Sequence, residues 1–83
     1  MDFHQILTVV MQEAQDLLRD DAVIVVPGTK LLNHFDDLDL TDFLMALEDE
    51  FSMSFGEEQY NTETVTLQTP QQFAEYIEEH AEV

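Results

Sequence analysis

Asp36-Asp37-Leu38-Asp39-Leu40-Thr41-Asp42-Phe43-Leu44-Met45-Ala46-Leu47-Glu48-Asp49-Glu50-Phe51 is the stretch that decides the fold. At about 3.6 residues per turn, Leu40, Phe43, Leu44, Leu47 and Phe51 fall within a narrow arc. The pattern predicts a helix from about Asp37 to Phe51 with that arc in a core. Asp36 and Asp37 are both able to cap it by accepting bonds from the free amides of the first turn. Opposite the arc, Leu38, Asp42, Met45 and Asp49 follow one another at spacings of four, three and four. They form a second stripe in which apolar and acidic side chains alternate, flanked by Thr41 and Glu48. The bland expectation for such a face is a solvated acidic surface. The sharper one is a docking surface for a basic partner, with the carboxylates steering and Leu38 and Met45 supplying the desolvated contacts.

Upstream, Phe3, Ile6, Leu7, Val10, Ala14, Leu17 and Leu18 recur at helical spacing and predict a first helix over residues 2–19, with Asp2 suiting the helix dipole. Ala22-Val23-Ile24-Val25-Val26 is β-branched, but one isolated run makes no sheet. It is expected as an extended segment laid across the core. Pro27-Gly28 marks a turn, and residues 29–36 continue a long loop with a short turn at Leu31–His34. Downstream, Gly56–Tyr60 is expected as one short helix and Asn61–Thr69 as a loop. Thr69-Pro70-Gln71-Gln72 reads as a helix start, with threonine as cap, proline in the first position and glutamine closing a capping box. Phe73, Tyr76, Ile77 and His80 then form the apolar stripe of a last helix that frays by Glu82. The expected class is all-α: a small bundle of three main helices and one short one, with a long first connection, in a single domain over residues 1–83.

Composition narrows the function. The 83 residues are 45% hydrophobic, enough for one packed interior and too few residues for two. The formal charge is −17, from 19 acidic and 2 basic residues, Arg19 and Lys30 being the cations. Most carboxylates must therefore stand in water and repel one another, which favours a monomer. No basic surface exists to displace counterions from nucleic acid, and anionic membranes repel such a chain. Basic protein surfaces are the expected partners. Cysteine is absent, which removes disulfides, thiolate catalysis and zinc–thiolate sites. The N-terminus has no cationic region followed by an apolar core, and the longest apolar runs are too short to span a bilayer. A cytoplasmic or organelle-matrix location is the expectation. His4, His34 and His80 share no ligand spacing, and no nucleophile–base pair or glycine-rich phosphate loop occurs. Enzyme activity and catalytic residues are therefore not expected.

Leu38-Asp39 and Met45-Ala46-Leu47-Glu48-Asp49-Glu50-Phe51 resemble the central helix of acyl carrier proteins. That family opens this helix with Asp-Ser-Leu-Asp and closes it with a Met-Ala-Leu-Glu run ending in phenylalanine, at the spacing found here. Phe55-Gly56-Glu57-Glu58 sits at the place of the family's short third helix, and Thr69–His80 at that of its last helix. The resemblance implies a four-helix bundle whose acidic second helix docks on basic patches of fatty-acid or polyketide-type enzymes. It also implies 4′-phosphopantetheine on the motif serine. Here that position is Asp37, in Asp36-Asp37-Leu38-Asp39. Attachment needs a hydroxyl that attacks the coenzyme A β-phosphate, whereas a carboxylate would give a labile mixed anhydride. Thr41 lies a turn too late, and Ser52 and Ser54 lie beyond the far end of the helix. No cofactor is therefore expected on this chain.

Two origins stay open: a natural carrier-like domain without its arm, or a serine-to-aspartate variant of a conventional carrier. The residues expected to touch a partner are Asp36, Leu38, Asp39, Thr41, Asp42, Met45, Glu48 and Asp49. The remaining class is an acidic ion binder or nucleic-acid mimic. Asp37, Asp39, Thr41 and Glu48 loosely follow a calcium loop, but Asp42 stands where that loop needs glycine and an apolar helix follows. No metal site is expected.

Overall fold

The computed structural model describes residues 2–18 and 22–81. Three α-helices carry the fold: α1 (Phe3–Leu17), α2 (Asp37–Phe51) and α3 (Pro70–His80). Two 3-10 turns, Leu31–Asn33 and Glu57–Tyr60, sit in the connections, and no strand occurs among the described residues. The architecture is a small all-helical bundle. None of the helices is long and apolar enough to cross a membrane, among the described residues.

Each α-helix opens with the same device. Asp2, Asp36 and Thr69 are the N-caps, and Gln5, Asp39 and Gln72 at the third position reach back to the cap amide. These reciprocal bonds satisfy amides that the helix itself leaves without partners. Pro70 occupies the first turn of α3, as the sequence predicts. Asp36 rather than Asp37 caps α2. Asp2 is a cap rather than a first-turn residue, so α1 begins one position later than expected. Leu18 is extended, so α1 ends at Leu17; the expected continuation to Arg19 and the fraying at Glu82 lie outside the described residues. α2 ends at Ser52, whose φ of 52° and ψ of 52° put it in the left-handed region and turn the chain away.

α1 packs along both α2 and α3. Ile6, Val10 and Ala14 from α1, Leu40, Phe43, Leu44, Leu47 and Phe51 from α2, and Phe73, Ala74 and Ile77 from α3 form the core, together with Val25, Leu31, Phe35 and Phe55 from the connections. α2 and α3 meet through aromatic rings. Phe43 stands edge-on to Phe73 at 5.1 Å and tilted to Phe35 at 5.4 Å, and Phe55 stands edge-on to Phe73 at 6.2 Å. Tyr76 stacks on Phe55 at 5.2 Å, and His80 lies against Tyr76 at 4.1 Å. Offset and edge-on pairs of this kind add stabilisation beyond burial alone. His80 itself is exposed, so it extends the ring series to the surface rather than joining the core stripe expected of it.

The extended segment lies where the sequence puts it. Val25 is buried while Ile24 and Val26 face solvent. Its pairing is unusual: Gln15 of α1 donates through Nε2 to the Val23 carbonyl and accepts through Oε1 from the Val25 amide, both at 2.9 Å. One side-chain amide thus takes the place of a neighbouring strand. Gln59 does the same for the loop after Tyr60, donating to Thr66 Oγ1 at 2.9 Å and accepting from the Thr66 amide at 3.0 Å. Gln59 is only 3% exposed, and its buried amide is fully partnered.

Phe43 is fully buried and touches two other rings. Phe43→Ala is expected to destabilise the domain by about 3–5 kcal/mol. Urea unfolding followed by far-UV circular dichroism measures the loss.

Candidate functional site

α2 arranges its acidic side chains in three ways. Asp36 and Asp39 belong to the capping box: Asp36 Oδ1 accepts from the Asp39 amide at 2.8 Å, and Asp39 Oδ2 from the Asp36 amide at 3.3 Å. Asp37, in the first helical position, is exposed, and its Oδ1 accepts from the Thr62 amide at 3.1 Å. Glu48 is half-buried and turns toward the connection after α2, where Oε2 accepts from the Phe55 amide at 2.8 Å. Asp42 and Asp49 are exposed. The Thr41 hydroxyl donates to the Asp37 carbonyl at 2.9 Å, within the helix.

Leu38 and Met45 are the exposed large hydrophobics of α2, at 76% and 57%. The stripe Leu38, Asp42, Met45, Asp49 therefore faces outward as its spacing predicts. The far half of the stripe borders a surface groove of about 460 Å³ lined by Met45, Ala46, Glu48, Asp49 and Met53. Met53 and Ala46 were not among the expected partner residues. Met53 escapes the periodicity because it follows the left-handed turn at Ser52, so its position depends on where that turn sends the chain.

Glu48 departs from the expectation of a flank available to a partner. Besides accepting from the Phe55 amide, it lies near Tyr60 and bears on its ionisation. Tyr60 is pushed up from 10.0 to about 12, first by burial, then by the hydrogen bond to Glu48, then by the nearby negative charge. A tyrosinate there would lose hydration and face a carboxylate. Tyr60, and with it the 3-10 turn Glu57–Tyr60, thus lies near Glu48 in the C-terminal half of α2. A single sequence gives no signal for this long-range pair.

Asp37, Asp39, Thr41 and Glu48 all belong to one unbroken α-helix, which cannot wrap an ion as a calcium loop does. Among the described residues no group of three or more histidine or acidic side chains is arranged to hold a metal. The outer face of α2 thus carries two exposed apolar side chains and two exposed carboxylates, with a groove beside its far half. Compared with models of protein families, with curated proteins and with solved structures, the chain matches none.

Because the folded state holds the Tyr60 proton to about pH 12 and the unfolded chain releases it near 10, stability is unaffected below about 10 and falls from about 10 to 12. In a Tyr76→Phe background, tyrosinate absorbance should place the Tyr60 ionisation near 12. Glu48→Gln should lower it and narrow the alkaline window.

Proposed function

We propose that this chain is an acyl-carrier-like, non-enzymatic protein that docks on basic surfaces of fatty-acid or polyketide-type enzymes through α2. The observation that carries the proposal is the outward stripe of α2. Leu38 and Met45 are exposed on a regular helix whose neighbouring outward positions are acidic. Exposed ion pairs at a rim are worth only ~0–1 kcal/mol each. The apolar pair therefore supplies the affinity, and the charge of −17 supplies attraction at a distance. The element order supports the same reading. Helix, long connection, helix, short 3-10 turn and last helix follow one another as the resemblance to the carrier family implies. In that frame the Glu57–Tyr60 turn stands for the short third helix of a four-helix bundle.

Asp37 occupies the serine position of the motif and has no hydroxyl to modify. The chain then carries no 4′-phosphopantetheine and acts as scaffold, regulator or decoy for its partner. The exposure of residue 37 at the start of α2 favours a second reading. A serine there would be open to a modifying enzyme, as in a conventional carrier of which this chain is a serine-to-aspartate variant.

Met45→Glu should weaken capture by a carrier-binding enzyme such as a ketosynthase without unfolding the domain, and wild-type affinity should fall steeply with ionic strength. Capture unchanged by the substitution, or flat with salt, counts against docking through α2. Intact mass after co-expression with a broad-specificity phosphopantetheinyl transferase separates the two readings. The chain should stay unmodified. If the recognition surface is that of a working carrier, Asp37→Ser should gain the mass of one arm.

A further inference from the structure

The segment after α2 is organised within itself. The Gln59 amide donates to the Gly56 carbonyl at 3.0 Å, and the Thr64 hydroxyl to the Glu58 carbonyl at 2.7 Å. Asn61 accepts from Glu63 through its side chain at 2.8 Å, and through its carbonyl from Thr64 at 3.0 Å and Val65 at 2.8 Å. Gln59 and Thr66 close the unit from within. Its boundaries are distinct. On one side is the left-handed Ser52; on the other, the Gln68 carbonyl is held by the Leu31 amide at 2.9 Å.

Between those boundaries, the Met53 amide donates to the Glu48 carbonyl at 3.2 Å, and the side-chain acceptors on α2 are two carboxylates. The Thr62 amide donates to Asp37 at 3.1 Å, and the Phe55 amide to Glu48 at 2.8 Å. Asp37 and Glu48 are eleven positions apart in the sequence. On an α-helix that places them on one face, about 20° apart around the axis and about 16 Å apart along it. The segment is therefore fastened at both ends of one stripe. Charge works against the fastening. Glu57, Glu58 and Glu63 on the segment are exposed, as are Asp42 and Asp49 on α2. Like charges push the two apart; the buried Phe55 ring and the amide-to-carboxylate bonds, stronger than neutral ones, hold them together.

We infer that residues 53–64 form a strap seated on the core by Phe55 and clipped to α2 by two carboxylate latches, Asp37 at one end and Glu48 at the other, and that loss of the latches frees the Thr62 end while Phe55 stays packed. Asp37 is then a positioning residue for the strap. Salt should tighten the latch, because it screens the like-charge repulsion more than the short hydrogen bonds. Docking on a basic partner has the opposite salt dependence. The latch does not rest on the docking reading: it is measured in the isolated chain, so either can fail alone.

Amide hydrogen exchange by NMR tests it, with the Val10 and Ile77 amides of α1 and α3 as internal references. Asp37→Ala should speed exchange at Thr62 by about fivefold or more, the ratio an ordinary net hydrogen bond supports. Asp37→Asn keeps an acceptor at that place and should restore protection. Glu48→Ala should speed exchange at the Phe55 amide, and the double variant should show both effects. Unchanged Thr62 and Phe55 exchange in the double variant overturns the proposal. So does a rise that is equal at Val10 and Ile77, since the carboxylates would then support the whole fold rather than the strap.

Discussion

The edge-on meeting of Phe43 and Phe73 is the contact on which the rest depends. α1 packs directly on its two neighbours, whereas α2 and α3 are joined through rings that continue to Phe35 on one side and to Phe55 and Tyr76 on the other. Seating Phe43 inward fixes the rotation of α2 about its own axis. Leu40, Leu44, Leu47 and Phe51 then follow it into the core, and Leu38, Asp42, Met45 and Asp49 are turned to water by the same rotation. The interior thereby sets which side chains α2 turns to solvent.

Charge is the opposing constraint. With 19 acidic and 2 basic residues, ion pairing cannot organise this surface. Carboxylates are stabilised instead by backbone amides. Asp2 and Asp36 cap helices, Asp37 and Glu48 accept amides from the segment after α2, and glutamines serve the loops. This use of amide donors lets so acidic a chain fold while leaving Asp42 and Asp49 exposed on the outer face.

Much of this was legible in the residues. Apolar spacing located three helices, and Thr69-Pro70-Gln72 located the start of α3, because caps and periodicity are local. The extended run at residues 22–26 was also legible, although its partner was not. Gln15 pairs with Val23 and Val25 only because the chain doubles back, and no local rule anticipates it. The same holds for Gln59 with Thr66 and for Glu48 with Phe55 and Tyr60. Glu48 looked like a flank of the outer face because helical angle alone places it there; the connection folding back over α2 is what draws it in. His80 fitted an apolar spacing, yet at the last position of α3 it is exposed, with its ring against Tyr76.

The central claim is that α2, and not another part of the surface, meets the partner. Ile24 and Val26 offer a rival patch, exposed at 75% and 52%. Methyl NMR of the labelled chain, titrated with a ketosynthase of fatty-acid type, separates the two. The account predicts shifts and broadening at Leu38 and Met45 with Ile24 and Val26 unmoved. Perturbation confined to Ile24 and Val26 would contradict it.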